Sequence, residues 1–163
     1  MNLPANSDAA RKLFRHALAT LAYRAGKAVR HAPATFGDFC GAEGLRSPGE
    51  ILAHMGDLFD WALSIVRGKQ EWHDSKPLPW EKEVERFFVA LKNFDDYLAS
   101  GAEVHESLDK LFQGPVADAL THVGQIAMLR RMAGAPVRPE NFHRAEIIIG
   151  RVGAEQAAPK REF

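Results

Sequence analysis

The chain has 163 residues, the usual size of one domain, and 46% of them are hydrophobic, enough for a sizeable buried core. Lys plus Arg and Asp plus Glu each number 21, so the formal net charge is zero. The basic excess of a nucleic-acid binder and the polybasic run of an anionic-membrane binder are both absent, which leaves a small molecule or another protein as the expected partner.

Cys40 is the single cysteine, which excludes an intramolecular disulfide framework and a thiolate-rich metal knuckle. Met1 to Lys12 lack the apolar run of about 7–15 residues that a secretory signal needs. No stretch approaches the roughly 20 apolar residues of a membrane-spanning helix. A cytoplasmic protein is the expectation.

Ser7-Asp8 offers helix-capping residues, after which Leu13, Phe14, Ala17, Leu18, Leu21 and Ala25 recur at helical spacing. Arg11, Lys12, Arg15, Arg24 and Lys27 take the other positions. Residues 31–46 hold Pro33, Gly37, Gly41 and Gly44 and keep no period, so they read as a long connection. Ser47-Pro48-Gly49-Glu50 then reads as N-cap, N1 proline and a capping-box glutamate. The helix it opens has a wide apolar face of Ile51, Met55, Leu58, Phe59, Ala62, Ile65 and Val66, with Gly68 placed to end it.

Residues 69–79 contain Pro77 and Pro79 and read as a loop. A third helix is predicted from Trp80 to Ser100, with Val84, Phe87, Phe88, Leu91, Phe94, Tyr97 and Leu98 as its buried stripe and Gly101 as its stop. Residues 103–113 read as a short helical approach that Gly114-Pro115 interrupts. A new helix starting at Pro115 is predicted to reach about Met132, where Gly134 and Pro136 halt it. Residues 140–152 fit strand or buried helix equally well because of Ile147-Ile148-Ile149, and 154–163 read as a flexible tail. Together these predict an all-α fold, a four-helix bundle over residues 1–153 with a short extra C-terminal segment.

Two places break the amphipathic pattern. At about 100° per residue, His54 falls among Ile51, Leu58, Trp61 and Ile65 on the apolar face of the second helix. An imidazole there needs a hydrogen-bond partner or a metal. On this residue alone, a core histidine bonded to a neighbour is the simpler reading.

The second place is Asp118-Ala119-Leu120-Thr121-His122-Val123-Gly124-Gln125. Asp118 and His122 are four apart and stack on one helical face, and Gln125 extends the stripe. With His54 they would form a two-histidine, one-carboxylate site with open positions for water or substrate. An amphipathic face turned to water gives a similar arc. Residues 116–129, however, contain no Lys, Arg or Glu, which suits a lined pocket better than open solvent.

A histidine ending Ser47-Pro48-Gly49-Glu50-Ile51-Leu52-Ala53-His54, combined with the His122-Val123-Gly124-Gln125 run on the last long helix, resembles the DinB-like superfamily, the DinB/YfiT-like metalloenzymes. The resemblance spans roughly residues 7–132. It implies a metal held by one histidine on the second helix and two at H-x-x-x-H spacing on the last. By position these are His54, Asp118 and His122, with Asp118 standing where the family has histidine. Zn, Ni, Mn or Fe accept such a donor set, and the harder oxygen moves preference away from copper or nickel.

The resemblance further implies a thiol-dependent S-transferase acting on a small molecule, with a low-molecular-weight thiol such as bacillithiol or mycothiol as cosubstrate. Asp57 and Gln125 would orient the ligands from behind, although Asp57 also fits a solvated helix residue. Rival expectations are a non-catalytic helical module, a homodimer whose polar stripe binds a ligand, and a metal-dependent hydrolase whose general base the sequence does not supply. His16, His31, His73, His105 and His143 have no donor at ligand spacing and read as surface residues. Cys40 sits in a loop without a partner that would make it a nucleophile.

Overall fold

In the computed structural model, residues 7–163 are described. The helix α1 spans Asp8–Val29, and the Ser7 hydroxyl caps it by accepting from the Ala10 backbone N–H. A short 3-10 turn at Ala34–Asp38 sits inside the predicted long connection. Pro48–Val66 forms α2, where both halves of the capping box are made: the Ser47 hydroxyl accepts from the Glu50 amide and the Glu50 carboxylate from the Ser47 amide. The third helix, α3, is Trp80–Ala99.

Gly114-Pro115 does not break the chain into two helices as predicted. A short α4, Leu108–Leu111, passes through a π-helical turn at Phe112–Val116 straight into α5, Ala117–Met132. Proline lacks the N–H of an α-helical bond and crowds the carbonyl four residues back. A π turn absorbs this by adding one residue to the turn, which re-aims everything after it, Asp118 included.

The long helices pack around one apolar centre that includes Leu18, Leu21, Leu52, Met55, Leu91, Leu98 and Ile126. Phe14, Phe59, Phe87 and Phe94 meet in edge or tilted contacts at 6.0–6.1 Å. The α3 stripe lies as predicted, with Val84 and Tyr97 half-buried at its margin. The α1 stripe is buried at Phe14, Leu18, Leu21 and Ala25 as predicted, but Leu13 is 69% exposed, whereas Arg11 and Lys27 are buried. Arg11 reaches the carbonyl of Ala102, just beyond the end of α3.

Several buried charges are paired. Arg86 lies across α2, donating to the Ala53 carbonyl and to Asp57 while its Nε holds Glu83 at 2.7 Å. Gly56 makes room for it, since a Cβ there would stand 2.9 Å from the guanidinium. At the other end, Glu140 accepts from the Tyr23 hydroxyl at 2.6 Å and from Lys27 at 2.8 Å. Burial, then that hydrogen bond, push the Tyr23 pKa up and keep it a donor.

Residues 140–152 are neither strand nor helix. They contain a 3-10 turn at Phe142–Arg144 and one isolated antiparallel bridge between Glu140 and Glu162. The tail predicted to be flexible is tied down. Asn141 donates to the Arg161 carbonyl and Phe163 to that of Pro139, both at 3.0 Å, and Lys27 holds Glu162 at 2.6 Å. That last contact keeps the Glu162 carboxyl below its ordinary range. No helix among the described residues is long and apolar enough to cross a membrane.

Gly124 stands in mid-α5 with open space where its Cβ would project. Glycine in a helix interior costs about 0.5–1 kcal/mol relative to alanine. Gly124→Ala is therefore expected to stabilise the fold by that amount, seen as a raised denaturant midpoint at unchanged slope; a lowered midpoint would mean the space is not free.

Candidate metal centre

Three donors converge between α2 and α5. His54 Nε2 lies 3.2 Å from Asp118 Oδ2, and His122 Nε2 lies 3.4 Å from Asp118 Oδ1. One ligand atom from each residue falls within 4.8 Å of both others, so the group can hold a metal ion. The two imidazoles thus face opposite oxygens of one carboxylate, which bridges them. The three residues the sequence singled out are thus brought together. The π turn sets the angle of Asp118, and the capping box fixes the start of the helix that carries His54.

Gln125 lies where it was expected to act, its Oε1 2.7 Å from His122 Nδ1. With the amide oxygen as acceptor, the Nδ1–H tautomer of His122 turns its Nε2 lone pair toward the cluster. That lone pair then meets a carboxylate oxygen at 3.4 Å. In that tautomer two acceptors face each other, an arrangement that a bound cation would satisfy. The donor set and its orientation therefore fit a divalent ion.

Asp57 does not serve the cluster, and it is not a solvated helix residue either. It is 2% exposed; its oxygens accept from the Ser75 amide and hydroxyl and from Arg86. Its work is to fold the 69–79 loop back onto α2. That loop supplies a group the sequence reading missed. Trp72 packs edge-on to His54 at 5.6 Å and to Trp61 at 5.8 Å, forming an aromatic wall on one side of the imidazole. Its only sequence signal is a tryptophan in a loop, which does not say what it covers.

The exposure is graded: side chains are 23% exposed at His54, 45% at Asp118 and 11% at His122. Two cavities open on the cluster. One of about 460 Å³ borders His122 and Gln125 and is walled by Leu45, Ile51, Met128, Leu129 and Met132. The other, about 420 Å³, borders Asp118 between Trp61, Gln113 and Thr121 and is much more polar. His16, His31, His73, His105 and His143 are exposed, as expected. Tyr23 and Arg130 are occupied with holding the fold, Arg130 through the carbonyls of Ala28, Arg30 and Ala135.

Comparison with protein-family models, with curated proteins and with solved structures gives no match.

Proposed function

We propose that the chain is a DinB-like metalloprotein in which His54, Asp118 and His122 hold one divalent ion. The observation that carries the reading is the convergence of the three donors from two separate helices. The order of the helices and the place of each histidine along them support the family resemblance.

In such a site a divalent ion turns a thiol or water into a nucleophile near neutral pH. The chain's own residues do the rest. Gln125 keeps the His122 proton on Nδ1 and so holds Nε2 as a ligand. Trp72 and Trp61 give the His54 side an aromatic wall. The apolar cavity beside His122 suits the carbon body of an electrophile, and the polar one beside Asp118 suits a hydrophilic cosubstrate. Two unlike openings onto one centre favour joining two small molecules over hydrolysing one. A thiol-dependent S-transferase is the activity proposed.

Purified protein supplied with zinc, nickel, manganese or iron would be given bacillithiol or mycothiol and a fluorogenic haloalkane. The sulfur–carbon bond forms as the carbon–halogen bond breaks, and the thiol proton goes to buffer. Removing partners of metal ligands already costs about 10–100-fold, so His122→Ala, which removes a ligand, is expected to run at least ~100-fold slower. Equal rates would remove the transferase reading.

A further inference from the structure

The opposite side of α5 carries a second cleft. At about 100° per residue, Leu120, Gly124, Ala127 and Arg131 fall roughly half a turn away from Asp118, His122 and Gln125. They line a cavity of about 240 Å³ closed by α1 and by the segment around Phe142, and it shares no residue with the donor cluster.

Four cations reach this cleft: Arg24, Lys27, Arg131 and Arg138. They are not equivalent. Lys27 is neutralised by Glu140 and Glu162 at 2.8 and 2.6 Å, and Arg138 lies 3.5 Å from Glu162. Arg24 and Arg131 face no carboxylate among the described residues. Arg24 is braced instead over the Phe142 ring, 4.1 Å from its centroid. The same cleft is lined by Leu120, Val123, Ala127 and Val137, and at Gly124 by bare backbone with open space where a Cβ would project.

Unpaired guanidinium groups are strong, directional partners for carboxylates. An apolar floor beneath them selects an anion with a carbon body over a small inorganic one. We propose that this cleft binds a small organic carboxylate, its ring or branched chain on Val123, Gly124 and Ala127 and its charge between Arg24 and Arg131. The docked C-terminal tail helps build the site, because Glu162 occupies Lys27 and leaves the two arginines as the available charge.

Benzoate is a suitable probe and neutral benzamide its control, titrated into the full chain while the amide resonances of Gly124 and Ala127 are followed. Benzoate is expected to give saturable shifts with a dissociation constant on the order of 1 mM, at least tenfold weaker in Arg131→Ala. Gly124→Leu would project a side chain into the cleft and abolish the shifts. Because Arg131 is exposed, its variant keeps the test valid should Gly124→Leu fail to fold. Unsaturable shifts, equal binding of benzamide, or undiminished binding by Arg131→Ala would each overturn the proposal.

Discussion

Lys27→Met is expected to destabilise the protein by about 3–5 kcal/mol, the cost of breaking a buried ion pair by deleting one partner. The Glu140 side chain is fully buried, and its two oxygens are matched to Tyr23 and Lys27. Without the ammonium group the carboxylate either stays charged and unpaired or takes up a proton, and both cost stability at neutral pH. Methionine fills most of the lysine stem's volume, so the loss reports the charge rather than a cavity. For a chain of this size each kcal/mol moves the melting temperature by roughly 2–4 °C, so a fall of about 10 °C is expected. Glu140→Gln in the same background should recover part of it. A loss below about 1 kcal/mol would show that the pair is not the anchor of the C-terminal segment.

The second large effect concerns the donor cluster. His122→Ala removes one of three donors and also frees Gln125, so the affinity for a divalent ion should fall by at least ~100-fold, since losing an outer-shell partner alone costs about 10–100-fold. Asp118→Ala should do nearly as much, because the carboxylate is the only donor in contact with both imidazoles. Gln125→Ala should cost less, as it only releases the His122 tautomer. Binding should weaken in acid, where protons and the ion compete for the imidazole lone pairs.

What the sequence made legible follows from the range of the interactions involved. The cap of α2 is written in four consecutive residues, and the Asp118–His122 spacing lies within one turn, so local rules reached both. His54 betrayed itself as a polar residue on an apolar face. Leu13, Arg11 and Lys27 were misplaced because what buries the two cations lies 91 and 113 residues away along the chain. Residue type alone put the leucine in the core and the cations outside. Asp57 was misread for the same reason, since its partners Ser75 and Arg86 are 18 and 29 residues on.

Gly114-Pro115 has two physical outcomes, a break or a π turn, and the packing of Pro115 and Val116 in the core selects the second. The tail, rich in polar and small residues, offers no periodicity. Its order comes from Lys27 and from a two-rung pairing with residues 139–141. The shape of the cavities flanking the cluster lies beyond local rules, because Leu45, Trp61 and Met128 come from three distant segments.

The most direct measurement is the metal content of protein purified without added chelator, wild type beside His122→Ala, by elemental analysis. A divalent ion on His54, Asp118 and His122 predicts about one equivalent of zinc, nickel, manganese or iron in the wild type and almost none in the variant, with both proteins equally folded by circular dichroism. Wild type that holds no metal even after reconstitution with each of these ions, or a variant that retains the full equivalent, would contradict it.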